Sequence, residues 1–250
     1  MIKTKGYLDV VDVVGDTLTL EGWEATQGAG RVDDFQVTLR GRELAPIQRE
    51  CGRPSPEVQA AFPDLDRSDA CRYRLRYRLD PAQVREFESG VLAVTPIASG
   101  RKGKLHLHLK KAVLPLPSQD DINRIGGGFL DVSEDYLRYF IQLADLKSTH
   151  NVLDVGCGVG RMAYMLAHYL KPEARYEGFD ILGNLVAWAS SNITPVYPNF
   201  RFRKVDVYNK HYNPTGKIVP GEFRFPYEDE TFDFIFLTSV FTHMLGPELR

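Results

Sequence analysis

Cysteine is scarce in this chain: Cys51, Cys71 and Cys157 are the full complement in 250 residues. So few, so widely scattered, they make neither a disulfide framework nor a zinc site. An excess of one charge is also missing. A net charge of −2 gives no electrostatic reason to expect nucleic acid or another polyanion as partner. No apolar run approaches the length of a membrane span, and Asp9 and Asp12 interrupt the first apolar stretch, which excludes a signal-peptide core. These absences leave a globular protein, expected in the cytoplasm, with neither membrane nor nucleic acid to bind.

What is present first is strand periodicity. Residues 7 to 23 alternate apolar and polar around Gly15-Asp16, a hairpin signal. Phe35, Val37 and Leu39 alternate with polar neighbours. Tyr73, Leu75, Tyr77 and Leu79 face one way while Arg72, Arg74, Arg76 and Arg78 face the other. Val91 to Ile97 and Lys104 to Lys110 flank a further turn. Such short strands predict an all-β antiparallel sandwich over residues 1–113, with residues 46 to 70 as a long connection. The arginine row, and His106 with His108, read as solvated faces rather than ligand sites, and Trp23 as a core anchor. No catalytic constellation appears here.

The pattern changes at Leu114-Pro115-Leu116-Pro117, and residues 114–124 read as a linker. From 125 onward helices and strands alternate. Ser133 is expected to cap a helix with Tyr136, Leu137, Phe140 and Ile141 on its apolar stripe; Tyr136 and Tyr139 are read as core residues. Val152 to Val155 then reads as a strand, followed by Gly156, Gly158 and Gly160 and by a helical pattern from Arg161. Strand, glycine turn and helix open a nucleotide-binding βαβ unit, in which glycines let backbone N–H groups approach a ligand. A dinucleotide fingerprint wants G-x-G-x-x-G, and Arg161 stands where its last glycine would fall. Tyr176 to Asp180 is a second strand ending in an acid able to accept hydrogen bonds from ribose hydroxyls. Phe200 to Val205, with Asp206-Val207 at its end, is a third strand, and Thr231 to Leu237 a fourth.

The order D-x-G-x-G-x-G from Asp154 to Gly160 resembles motif I of the class I S-adenosylmethionine (SAM)-dependent methyltransferases. Phe232-Asp233-Phe234-Ile235 is similar to that family's later F-D-x-[IV] motif. The resemblance implies an α/β Rossmann-like doubly wound sheet over residues 125–250, with strand order 3-2-1-4. It implies SAM as cofactor, and a cofactor site made of Asp154, Gly156, Cys157, Gly158, Gly160, Asp180, Ile181, Asp206, Val207 and Thr238. In that family the acid at Asp154 serves the methionine end, the acid at Asp180 the ribose, and the acid at Asp206 the adenine amino group; Ile181 packs on the adenine face. Cys157 is read as a small turn residue, not a nucleophile.

Residues 208 to 227 form an insertion whose aromatic and basic content suggests a substrate lid. After the fourth strand, His243 is the candidate general base; its other reading is a histidine packing on its own helix. No metal site is apparent. The family fold needs seven strands, and thirteen residues follow Leu237, so the chain is expected to be truncated. The expected function is methyl transfer to a small-molecule or glycan-type acceptor. A SAM-binding scaffold without catalysis and an NAD(P)-dependent oxidoreductase are the alternatives.

Overall fold

The computed structural model of the chain describes residues 1–240. It divides into two compact units, Met1–Lys111 and Ala112–Arg250. No helix among the described residues is long and apolar enough to cross a membrane.

In chain order the first unit contains β1 (Thr4–Val14), β2 (Thr17–Thr26), β3 (Asp34–Leu39), β4 (Arg42–Glu43), β5 (Pro46–Arg53), α1 (Pro56–Ala61), β6 (Arg72–Arg78), α2 (Pro81–Phe87), β7 (Leu92–Ala98), β8 (Arg101–Lys102) and β9 (His106–His108). One antiparallel sheet runs β1-β2-β6-β5; the other runs β4-β3-β7-β8, with β9 also paired to β7. The β1–β2 hairpin closes at Gly15, whose φ of +63° is a left-handed value that glycine adopts without steric cost. Alternation delivers the core. Leu18, Leu20, Tyr73, Leu75 and Tyr77 from the first sheet join Phe35, Val37, Leu39, Leu92 and Val94 from the second in one buried cluster. Trp23 anchors a smaller cluster with Ala25, Val58 and Cys71, its ring stacked 5.4 Å from that of Phe62.

The structure departs from the sequence reading at two places in this unit. Residues 46 to 70 are not simply a connection, because β5 and α1 lie within them. The pairing of β5 with β6 slips between Pro46 and Gln48 and between Cys51 and Arg53, and those irregularities hide the period-two signal. His106 and His108 do not share a solvated face. The Nε2 atom of His106 lies 2.8 Å from Oε2 of the buried Glu24, and the His108 ring stacks on Phe87, its pKa lowered by burial. The arginine row is a charged outer face, with Arg72 paired to Asp9 and Glu57, Arg74 to Glu21 and Arg78 to Asp16. Exposed pairs of this kind add little to stability.

The second unit contains α3 (Gln119–Arg124), α4 (Leu130–Ala144), β10 (Val152–Val155), α5 (Arg161–Tyr169), β11 (Tyr176–Asp180), α6 (Gly183–Asn192), β12 (Phe200–Lys204) and β13 (Phe234–Leu237). Its described strands form a parallel sheet in the order β12-β11-β10-β13. That order puts the glycine turn after β10 at the middle of the sheet, beside the tip of β11. Helix α4 packs against α5, and Phe140 of α4 meets Phe234 and Phe236 of β13 at 5.2 and 4.6 Å.

One helix boundary differs from expectation. α4 begins three residues before Ser133, whose buried hydroxyl donates to the Leu130 carbonyl instead of capping the helix. Tyr139 is exposed rather than in the core. The stretch 114–124 belongs to the second unit: Leu114 is buried, its carbonyl accepts the Tyr164 hydroxyl at 2.9 Å, and α3 lies within the stretch. Ser118 caps α3 by accepting the Asp121 N–H.

Candidate functional site

β10 buries Val152 to Val155 completely, and the chain then turns through Gly156, Gly158 and Gly160, all at positive φ. Several N–H groups of this turn point inward. Those of Gly156 and Cys157 both donate to the Phe179 carbonyl, at 2.9 and 3.1 Å, and that of Gly160 donates to the Cys157 carbonyl. The Gly158 N–H donates to Oδ2 of Asp180 at 2.8 Å. This corrects the expectation that the glycines turn these donors toward a ligand. The turn uses three of them to fasten itself to β11 and the fourth to close on itself.

A cavity of about 610 Å³ lies at the C-terminal ends of the strands, where open α/β sheets bind their ligands. Its walls are Val155 to Gly158 after β10, Phe179 to Leu182 at the tip of β11, Val205 and Val207 after β12, and Leu237 to Val240 after β13. Asn123 to Gly126 close one side, Arg161 and Met162 line it from α5, and Tyr208, Asn209, Tyr212, Phe223 and Phe225 come from the insertion. Phe223 and Phe225 hold their places by packing on Phe179, with ring centroids 5.7 and 5.2 Å away.

Of the residues expected from sequence, Gly156, Cys157, Gly158, Asp180, Ile181, Val207 and Thr238 line this cavity. Asp154, Gly160 and Asp206 do not, and His243 lies outside the described residues. Each of the three has another contact to make. Asp154 is buried, with Oδ2 accepting the Tyr176 hydroxyl at 2.6 Å and Oδ1 without a partner. Burial raises its pKa to about 7; the Tyr176 hydrogen bond opposes the rise and the Asp180 charge adds to it. At Gly160 a Cβ would come within 2.9 Å of Ile193 Cδ1 and 3.4 Å of Ala189 Cβ, so this glycine lets the chain pass close to α6. Asp206 fixes the base of the insertion: its carbonyl accepts the Lys217 and Ile218 N–H groups, and its carboxylate accepts from Asn213 Nδ2.

Asp180 stays at the centre of the site. Oδ1 accepts the Leu182 N–H at 2.8 Å, while Oδ2 holds Gly158. Burial raises its pKa, opposed by the backbone hydrogen bonds of Leu182, Gly158 and Ile181. Cys157 is buried, its thiol pushed well above the usual range by burial, as befits a packed turn residue and not a nucleophile. Sequence reasoning missed the wall formed by Asn123 to Gly126 and Arg161. For the first of these a signal existed: Ser118 followed three residues later by Asp121 is a helix-start pattern.

The arrangement suits a nucleoside carrying an amino-acid tail. A carboxylate offers about four acceptor positions, and these backbone contacts use one on each Asp180 oxygen, which leaves room for a ribose diol. Ile181, Leu185 and Val207 provide apolar wall for a base, and Arg161 Nε is a buried donor without an acceptor.

A parallel sheet with a glycine turn in its middle and an acid at the next strand's tip defines a nucleoside-binding α/β domain. Residues 152–250 match the family model described as "Methyltransferase domain". This part of the chain is similar to that family. Two solved structures are similar to part of the chain. Coclaurine N-methyltransferase bound to N-methylheliamine and S-adenosylhomocysteine (SAH) is 15% identical, with a TM-score of 0.32, over 51% of this chain and 31% of that one. Fibrillarin from Aeropyrum pernix, with natively bound S-adenosyl-L-methionine, is 15% identical, with a TM-score of 0.29, over 46% of this chain and 51% of that one. The chain therefore spans less than two thirds of the length of either.

Proposed function

We propose that this protein transfers a methyl group from SAM to a small-molecule or glycan-type acceptor in the cytoplasm, with the strands of residues 1–111 serving as an accessory β-sandwich and the second unit as a Rossmann-like doubly wound catalytic domain. Bound SAM supplies an electrophilic methyl carbon on a sulfonium. The chain's own task is to position that carbon and keep water away, since an in-line displacement gains most from orientation and exclusion of solvent. In this reading Asp180 receives the ribose hydroxyls, Ile181 and Val207 flank the adenine, and Gly156 to Gly158 lie along the donor. Thr238 faces the acceptor side, and Phe223 with Phe225 makes the wall apolar. Three free cysteines accord with a reducing compartment.

The observation that carries this reading over a dinucleotide enzyme is the direction of the turn's amides. Four amides of the turn already serve the Phe179 and Cys157 carbonyls and Asp180, which leaves fewer backbone donors for a pyrophosphate. Calorimetric titration of the 250-residue protein with SAH and with NAD tests it. Saturable binding of SAH without NAD binding is the expected result. Binding of NAD in place of SAH would move the protein to the oxidoreductases, and binding of neither by folded protein would remove the donor assignment.

A further inference from the structure

β1 is the outermost strand of its sheet, eleven residues long. Free sheet edges invite pairing with another chain, and proteins keep them short, irregular or charged. β4 and β8 have two residues each, and β5 pairs with β6 through two register slips. β1 is longer than any of these, and Tyr7, Val10 and Val14 on it are 62%, 40% and 73% exposed. Apart from its pairing with β2, no backbone hydrogen bond among the described residues reaches Lys5 to Val14. Its charged side chains differ in their surroundings. Asp9 pairs with Arg72. Lys5 and Asp12 are exposed and meet no opposite charge among the described residues, the Lys5 ammonium lying 3.7 Å over the Phe62 ring.

Lys5, Tyr7, Val10 and Asp12 stand opposite Ala25, Trp23, Glu21 and Thr19 of β2, alternate residues of one strand and therefore one face. That face points away from the main core, since Val11 and Val13 stand opposite the buried Leu20 and Leu18. It stays in phase because the register shifts between Leu8 and Val10, which makes Asp9 the extra residue of a bulge.

We infer that the free edge of β1 is a self-association surface, where β1 of a second copy of this chain pairs antiparallel about a two-fold axis between Leu8 and Asp9. That axis sets Tyr7 of each copy opposite Val10 of the other, and Lys5 opposite Asp12. In a regular strand such an axis would oppose side chains from different faces, because the faces alternate. The bulge removes that mismatch. An aromatic then meets a β-branched side chain, and each unpaired charge meets its opposite, two pairings that stabilise antiparallel strands. The Asp9 carboxylates come nearest the axis, each balanced by Arg72 of its own chain. A two-fold contact is closed, so association stops at two chains.

Sedimentation equilibrium of the full 250-residue protein tests this, with Lys5→Asp, Asp12→Lys and the double variant carrying both. The wild type is expected to dimerise. Each single variant sets like charges opposite each other on both sides of the axis, and should raise the dissociation constant roughly 10- to 100-fold. The double variant exchanges the charges and should return it close to the wild-type value. Positions 5 and 12 are roughly 20 Å apart along one strand, so that rescue arises only between chains. If one single variant does not fold, as read by circular dichroism, the other single variant and the double decide. A wild type that stays monomeric would overturn the inference. Dimers indifferent to the single exchanges would overturn it too, by placing the contact elsewhere. Dimers lost in the single variants and not regained in the double would refute the register.

Discussion

Asp180 Oδ2 accepts the Gly158 N–H at 2.8 Å, and this bond joins the tip of β11 directly to the glycine turn that follows β10. The acid expected to serve a ligand is thus also the acid that shapes the turn. Asp180→Ala removes both functions, leaving the Gly158 and Leu182 N–H groups without these acceptors. SAH affinity is expected to fall by about 1.5–3 kcal/mol or more, roughly 10- to 100-fold at least. Asp180→Asn keeps one acceptor oxygen and should lie between the two. Wild-type affinity in the alanine variant, measured by calorimetry, would dissociate Asp180 from the site.

Asp154 makes stability depend on pH in an unusual direction for an acid. Its folded-state pKa is raised to about 7, against about 3.9 for an unperturbed aspartate. Between about pH 4 and pH 7 the folded state holds a proton that the unfolded state has lost. The contribution of this group therefore declines as pH rises through that window, by about 1.4 kcal/mol per pH unit, and levels off above it. Asp154→Asn keeps an acceptor for the Tyr176 hydroxyl and carries no proton to lose. Urea unfolding at pH 5 and pH 8 should show the variant gaining on wild type as pH rises. Parallel pH profiles would refute the raised pKa.

Two fully buried tyrosines should respond oppositely to loss of their hydroxyls. The Tyr176 hydroxyl donates to Asp154 Oδ2, so Tyr176→Phe strands a buried carboxyl and should cost about 1–3 kcal/mol. The Tyr73 hydroxyl is buried and makes no hydrogen bond, so Tyr73→Phe should be neutral or stabilising by about 1 kcal/mol. Denaturation midpoints decide. Equal losses in the two variants would contradict the difference in their surroundings.

Gly178 lies on β11 directly beneath the turn. A Cβ there would stand 2.9 Å from Cys157 Cβ and 3.1 Å from its sulfur, closer than packed atoms tolerate. Gly178→Ala should destabilise by about 1–3 kcal/mol, as overpacked sites do, and should weaken SAH binding because Cys157 lines the cavity. Pairing it with Cys157→Ala, which removes the sulfur, should restore part of the loss. Additive effects in the double variant would mean that the Cys157 sulfur does not press on the added methyl group.

Much of this was legible in the sequence because its elements carry local signals. The strands from β10 to β13 are short apolar runs, and the turn announces itself by glycine spacing. Asp180 was found because its position follows from strand ends alone. Asp206 and Asp154 also stand near strand ends, yet neither lines the cavity. Which way a carboxylate turns depends on partners far along the chain, Tyr176 for Asp154 and the Lys217–Ile218 backbone for Asp206. Arg161 was visible only as a departure from a dinucleotide pattern; its contacts with the Gly127 and Gly128 carbonyls are a fact of three-dimensional surroundings. Likewise α3 was hidden by the prolines before it, and Ser133 has the residue type of a cap but faces inward.

Phe223, Tyr227 and Phe232 rest on the cluster of Leu153, Val155, Phe179 and Val205 on one face of the parallel sheet. The insertion that walls the cavity therefore leads into a segment that also roofs a hydrophobic surface. Trimming residues 208–232 to a short turn, as one would trim a floppy loop to help crystals grow, would bare those side chains to water. An exposed apolar patch of that kind promotes self-association. The cost would appear in the expression flask as insoluble protein, before any assay of binding could be run.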